Sequence, residues 1–342
     1  MNNLQRYDEG LPELLRFDQI AWYEDDIVRI LDRRVYPMTI RYEICKTPAD
    51  VADAIKNMVT QSGGPLLGVQ MGMVLAAKEA EKMPIADRLK HLTEAGNLLR
   101  YARPTMSEAY GDMVDKSLLA ATAAIKEGRS LVEATFNAAI EEANRRYKKI
   151  KQAAVHLVNT FPDQGTVMTQ CFAETIVGMM CLEIRKQKKD IRFICPETRP
   201  YLQGARLTAS VISDLGFDVY VITDNMPAAI MQRENVDVFT SAADVITSDG
   251  HVINKVGTFQ IALAAHYLGI PYYVSGEPST VHLTPDSITI EERDSEDVLH
   301  CLNTRTAKYN VRAFYPAFDI TPPKLVSGIV TASGIIQPGL EQ

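Results

Sequence analysis

The pattern of apolar and polar positions changes near the middle of the chain. Before that point apolar residues recur at helical spacing; after it, short apolar runs alternate with amphipathic stretches. Val51, Ala54, Ile55, Met58 and Val59 fall on one helical face. Thr47-Pro48-Ala49-Asp50 ahead of them reads as an N-cap with proline at the first helical position. Gln61-Ser62-Gly63-Gly64-Pro65 breaks that helix. Residues 66–82 are apolar on most sides and predict a buried helix. Residues 91–99 and 107–127 predict two more, and 130–152 a long one with Glu141, Glu142, Arg145, Arg146, Lys148 and Lys149 on its wet side. At the start, residues 15–22 and 27–31 alternate well enough for strands, with Tyr23-Glu24-Asp25-Asp26 as the turn and Val35-Tyr36-Pro37 closing the second.

After Lys151 apolar strands are predicted at 166–169, 191–195, 218–222, 238–240 and 271–274. Helices are predicted between them at 175–186, 207–215, 226–233 and 257–268. Alternating strand and helix units imply a parallel sheet covered on both faces. The expected fold is therefore α/β: a mostly helical domain with a short β opening over residues 1–150, then a parallel-sheet domain over 151–342. Ligands of such sheets bind beyond the C-terminal ends of the strands. That rule directs attention to Cys171, residues 199–203, Asp224-Asn225, Asp244 and Asn254-Lys255.

Composition narrows the class. The 342 residues are 46% hydrophobic and 23% charged, which fits a soluble globular chain of two domains. The net charge of −7 argues against a general nucleic-acid binder, which needs a basic face. No apolar run approaches a membrane span, and Met1-Asn2-Asn3-Leu4-Gln5-Arg6 has no apolar signal core, so a cytoplasmic protein is expected. Five cysteines (Cys45, Cys171, Cys181, Cys195 and Cys301) lack CxxC spacing, which fits reduced thiols and no zinc site.

Several positions carry chemistry. Cys171 follows a strand at the mouth of a helix, where the helix N-terminus favours a thiolate; the alternative is a packing cysteine. Asp244 ends an apolar stretch, where desolvation raises a carboxylate into the acid–base range; the alternative is a helix cap. Asp224 can cap the next helix or bind sugar hydroxyls. Asn254-Lys255-Val256-Gly257-Thr258 reads as a phosphate cradle of backbone N–H groups plus one ammonium, although a loop lysine is more often merely solvated. Arg100 and Arg103 bracket a helix break, and arginine suits a phosphate held through two hydrogen bonds. His156, His251 and His266 show no HxxxH spacing and read as structural.

Together these stretches resemble the methylthioribose-1-phosphate isomerase family. The resemblance is carried by Glu197-Thr198-Arg199-Pro200-Tyr201-Leu202-Gln203-Gly204-Ala205-Arg206-Leu207-Thr208-Ala209, Ile222-Thr223-Asp224-Asn225-Met226, Gly250-His251-Val252-Ile253-Asn254-Lys255-Val256-Gly257-Thr258, Ile290-Glu291-Glu292-Arg293 and Pro316-Ala317-Phe318-Asp319-Ile320-Thr321-Pro322, and Phe17-Asp18-Gln19 and Ile30-Leu31-Asp32 to Pro37 fit it too. Ala102-Arg103-Pro104-Thr105 also matches. The superfamily includes ribose-1,5-bisphosphate isomerases and the regulatory subunits of initiation factor two-B. The resemblance implies a Rossmann-like second domain, a homodimer, and conversion of an aldose 1-phosphate to a ketose 1-phosphate with no metal or other cofactor. It implies Cys171 and Asp244 as catalytic. It implies Arg103, Gln203, Asn254 and Lys255 as substrate contacts, with Asp224 and Asn225 lining the pocket and Gly63-Gly64 in a substrate loop.

The chain departs from that pattern where phosphate is expected. Ser62-Gly63-Gly64-Pro65 stands for Arg-Gly-Ala-Pro, Phe172-Ala173-Glu174 for Asn-Ala-Gly, and Ala242-Ala243-Asp244-Val245 for Gly-Ala-Asp-Arg. Serine cannot replace a bidentate cation, and Glu174 adds a negative charge. A related isomerase acting on methylthioribose 1-phosphate or a close variant sugar is the expectation. A non-catalytic regulatory subunit binding a nucleotide or sugar phosphate is the alternative, and it has no need for the Cys/Asp pair. A dehydrogenase is disfavoured because no GxGxxG follows the first strand of the second domain.

Overall fold

A computed structural model describes residues 6–103, 106–302 and 304–339. The expectations for residues 1–5 and for Pro104-Thr105 lie outside the described residues. The chain divides into two compact units, Met1–Lys148 and Lys149–Gln342.

In the first unit, β1 (Ala21–Glu24) and β2 (Ile27–Leu31) pair antiparallel, with Asp25 and Asp26 turning between them at positive φ. Tyr23 and Glu24 belong to the strand rather than the turn. Residues 15–20, expected as a strand, are instead a helical turn, Phe17–Ile20, after a short 3-10 segment, Glu13–Leu15. The Asp8 carboxylate accepts from Phe17 N at 2.7 Å, and Leu14, Leu15, Phe17 and Ile20 are all buried. An N-terminal cap and inward-facing apolar residues outweigh the weak alternation. β2 ends at Leu31, short of the expected Val35-Tyr36-Pro37, because the chain turns inward and Arg33 N bonds to Val59 O. A third strand, β3 (Tyr42–Cys45), pairs with β2; three of its four residues are not buried, so its sequence signal is weak.

Among the described residues the helices α1 (Pro48–Lys56), α2 (Gly64–Glu81), α3 (Ile85–Arg100) and α4 (Ser107–Glu127) follow, and α5 (Leu131–Val158) begins in this unit and continues past its end at Lys148. The Thr47 hydroxyl and the Asp50 carboxylate close a capping box at the start of α1. α2 is buried nearly all round, as its composition requires. Arg33 is buried at its mouth and donates to Gln61 O at 2.5 Å and Leu14 O at 3.2 Å. A Cβ on Gly64 would come within 2.9 Å of that guanidinium and within 2.2 Å of Thr60 Oγ1, so this position has no room for alanine.

In the second unit, β4 (Gln164–Met168), β5 (Asp190–Pro196), β6 (Val219–Ile222), β7 (Val238–Ala242), β10 (Tyr272–Ser275) and β14 (Gly328–Thr331) run parallel, and β15 (Gly334–Ile336) closes one edge antiparallel. The parallel strands lie in the order 3-2-1-4-5-6, which is the doubly wound α/β order. The direction of winding reverses between β4 and β7. Met168, Ile194, Phe239, Tyr272, Val274 and Ile329 fill the sheet's core. Helices α6 (Thr175–Gln187), α7 (Ala209–Asp214), α8 (Pro227–Arg233) and α9 (Thr258–Tyr267) connect strands. A second ladder, antiparallel, joins β8 (Val245–Ile246), β9 (Val252–Lys255) and β13 (Phe318–Thr321), and β11 (His300–Cys301) pairs antiparallel with β12 (Thr304–Arg305). That ladder was not legible in advance: its strands are short, and Asn254-Lys255 read as a loop.

Candidate active site

The site forms where the winding reverses, at the carboxyl ends of β4 and β7, the position at which open α/β sheets take ligands. β4 delivers Thr169, Gln170 and Cys171; β7 delivers Asp244. Cys171 adopts a left-handed φ of 56°. Its N–H donates to Thr198 Oγ1 at 3.2 Å, and its carbonyl accepts from Thr208 Oγ1. Thr198 is held in turn by Asp224, whose two oxygens accept from Thr198 N at 2.8 Å and Arg199 N at 2.6 Å. A carboxylate on the β6–α8 turn thus fixes the backbone of the cysteine through one intervening residue. Asp224 acts here by positioning. Its neighbour Asn225 is exposed and accepts from Thr223 Oγ1 at 2.5 Å.

The arginine-rich turn that follows β5 resolves in the same way. Arg199 donates to the carbonyls of Val298 (3.1 Å) and His300 (2.6 Å), which holds the later segment carrying Glu291, Arg293 and Asp297 against it. Gly204 starts a π-type turn where a Cβ would sit 1.8 Å from Pro196 O, so only glycine lets the turn close. Gln203 just before it is buried, and its Oε1 has no hydrogen-bond partner among the described residues. A buried acceptor left open at a strand-end cleft suits a polar ligand.

Lys255 is buried on β9, with its ammonium 4.9 Å from the centre of the Phe318 ring. Its charge interacts with Cys171 and Asp244. Burial lowers its pKa, opposed by the negative charges of Cys171 and Asp244. The strand, not a loop, carries this lysine. The predicted cradle of backbone N–H groups is also engaged already: Asp319 accepts from Gly257 N at 2.6 Å and Phe259 N at 3.2 Å. Burial raises Asp319 to about 6. Asn254 Nδ2 donates to Thr258 Oγ1 at 3.1 Å, and that hydroxyl donates to Lys255 O at 2.7 Å, so the start of α9 is closed by Asp319 and these side chains, with the Lys255 ammonium left to the site.

Two expectations about the pair of reactive groups are corrected. The helix after Cys171 begins only at Thr175, and the thiol is not lowered. Burial pushes it up to about 11, while Lys255 and the Phe172 N–H pull the other way. Asp244 is exposed rather than desolvated. Its backbone N bonds to Ile253 O at 3.0 Å, so it lies at the crossing from the main sheet to the small ladder rather than at a helix start.

The structure brings Cys171, Asp244 and Lys255 into one electrostatic neighbourhood. It adds residues to which the sequence assigned no role. Arg293 lies 5.6 Å from the centre of the Tyr201 ring, pairs with Glu291 at 3.1 Å, and its charge acts on Lys255. Glu291 and Arg293 stood in a family-like stretch, which was the available signal. Gly63, Gly64 and Arg103 belong to the first unit, where Arg103 faces the buried Tyr110.

Residues 61–338 match the model of the initiation factor 2 subunit family. The chain belongs to that family. It is 35% identical to the methylthioribose-1-phosphate isomerase of Chloroflexus aurantiacus over 93% of this chain and 95% of that protein. Among solved structures it is similar to 5-methylthioribose 1-phosphate isomerase from Pyrococcus horikoshii OT3, with a TM-score of 0.83, 27% identity and coverage of 98% and 97%. It is also similar to the subunit delta of translation initiation factor eIF-2B from A. fulgidus, with a TM-score of 0.81, 28% identity and coverage of 93% and 96%. The fold therefore serves relatives named as enzymes and relatives named as translation factors. Among the described residues no three His, Cys, Asp or Glu side chains group as a metal site, and no helix is long and apolar enough to cross a membrane.

Proposed function

We propose that the protein is an aldose–ketose isomerase acting on methylthioribose 1-phosphate or a closely related sugar 1-phosphate. The observation that carries this reading is the meeting of a thiol, an ammonium and a carboxylate at the strand-order reversal. A catalyst for this reaction must open a ring whose anomeric oxygen is phosphorylated and move hydrogen from C2 to C1. Asp244 is assigned the proton for the ring oxygen and Cys171 the hydrogen at C2. The thiol is protonated at neutral pH even with the Lys255 charge beside it, so it takes the C2 hydrogen only after its own proton has left. Lys255 balances the substrate anion and lessens the cost of that thiolate.

Gln203 and Asn254 are assigned to the substrate with Lys255. The family resemblance assigns Gly63, Gly64 and Arg103 as well. Asp224 and Asn225 border the pocket, Asp224 by holding the turn. A Rossmann-like second domain fits the strand order, and a homodimer in the cytoplasm fits the resemblance; sedimentation of the pure protein tests the dimer.

The deciding experiment is an NMR assay with methylthioribose 1-phosphate, ribose 1,5-bisphosphate, 5-deoxyribose 1-phosphate and free methylthioribose. Cys171→Ser and Asp244→Asn run in parallel. Turnover of one sugar phosphate, lost in both variants, supports the reading. No turnover of any, with wild type and variants binding alike, replaces it with the regulatory-subunit reading that the A. fulgidus neighbour represents.

A further inference from the structure

Beside Cys171 lies a buried group that the proposed chemistry does not use. Residues 291–293 and 315–317 run antiparallel: Arg293 N bonds to Tyr315 O at 3.0 Å and Ala317 N to Glu291 O at 2.8 Å. This pairing sets the Tyr315 ring against Tyr201, with centroids 6.1 Å apart. Arg293 Nη1 reaches Tyr201 Oη at 3.4 Å, and its guanidinium pairs with Glu291 at 3.1 Å. Tyr315 is 2% exposed, and its hydroxyl has no hydrogen-bond partner among the described residues. Leaving such a group unmet is destabilising, and buried phenols normally find a partner. Its surroundings are the site itself: the charges of Tyr201, Arg293, Asp297 and Cys171 all act on it.

We infer that Tyr315, set in place by Tyr201 and Arg293, is a substrate-contacting residue whose hydroxyl binds a ring hydroxyl of the sugar. The occupant is a hydroxyl rather than the phosphate for an electrostatic reason. Glu291 already offsets the Arg293 charge, so this wall of the site offers directed hydrogen bonding with little net charge. A phosphate takes the Lys255 ammonium instead. Burial also holds the phenol in its neutral form, which donates to an uncharged sugar oxygen. Specificity for that hydroxyl follows, because a substrate lacking it leaves the phenol unmet.

The inference rests on the isomerase reading, and Tyr315→Phe tests it while removing only one oxygen. With methylthioribose 1-phosphate, kcat/KM is expected to fall about 10- to 100-fold. The melting temperature is expected to stay or rise, since an unmet buried hydroxyl is gone. Of the 2-deoxy and 3-deoxy substrate analogues used as competitive inhibitors, one is expected to bind wild type and Tyr315→Phe equally. Inhibition by inorganic phosphate is expected to be unchanged. Wild-type kcat/KM in the variant overturns the inference while leaving the reaction assignment standing; so does a lowered melting temperature accompanying the loss, which marks a packing role. If wild type turns over no sugar, the reaction reading fails on its own, and the thermal shift produced by methylthioribose 1-phosphate decides the inference. An equal shift in the two proteins, or none in wild type, overturns it.

Discussion

Each unit of this protein buries a cation, and the two are used differently. In the first unit Arg33 is wholly enclosed and donates to main-chain carbonyls of Leu14 and Gln61. Its planar fork meets fixed acceptors, so the charge ties the strand end to the mouth of α2. In the second unit Lys255 is enclosed on β9 against the Phe318 ring, and its charge acts on Cys171 and Asp244. A compact ammonium on a flexible stem shifts its pKa readily when buried. Burial therefore does not separate structural from chemical groups. The nature of the partners does: main-chain carbonyls cannot titrate, whereas a thiol and a carboxylate can.

The comparison breaks most visibly at Lys255. Lys255→Met is expected to lower turnover about 100- to 10,000-fold, as does Cys171→Ser, without loss of stability to urea. A variant within tenfold of wild type in the NMR assay removes Lys255 from the chemistry. Arg33→Met is expected to act the other way, destabilising the first unit by about 1–3 kcal/mol for each carbonyl left unmet, read from urea unfolding. Asp224→Ala sits between the two. It frees Thr198 and Arg199 N–H groups, and about 1–3 kcal/mol of stability and a comparable loss of kcat/KM are expected, with KM moving less than kcat.

A pH measurement sharpens the contrast. Burial raises Cys171 from 9.0 to about 11, so its contribution to stability is fully present below pH 9 and is lost as pH rises through about 11. Cys171→Ser is expected to flatten that alkaline decline. Alkylation of Cys171 followed by peptide mass analysis should show a midpoint near pH 11, moving higher in Lys255→Met because the favourable cation is gone. A midpoint that does not move separates the two groups electrostatically. The smallest effect is expected at the surface: Thr47→Ala opens the capping box of α1 and costs about 1 kcal/mol.

The sequence was most informative where a local cause acts alone. The capping box at Thr47, the enclosed α2 and the alternation of strands and helices after Lys151 were legible because caps and periodicity are properties of neighbouring residues. It failed at residues 15–20, where Asp8 caps a turn that the alternation does not reveal, and at the small β8–β9–β13 ladder, whose partners lie far apart along the chain. The same distance explains the site. Cys171, Asp224, Asp244 and Lys255 were singled out as strand-end groups, but their work depended on neighbours brought in by other segments.

By itself the sequence determined the fold class and the chemical types at the strand ends, because these follow from side-chain pattern and spacing. Only the tertiary structure decided their states. It placed Asp319 in the helix start that read as a phosphate cradle, buried Lys255 on a strand, left Asp244 exposed and raised the Cys171 thiol. Desolvation and the charges of distant residues set a proton affinity, and both are fixed by packing rather than by position in the chain.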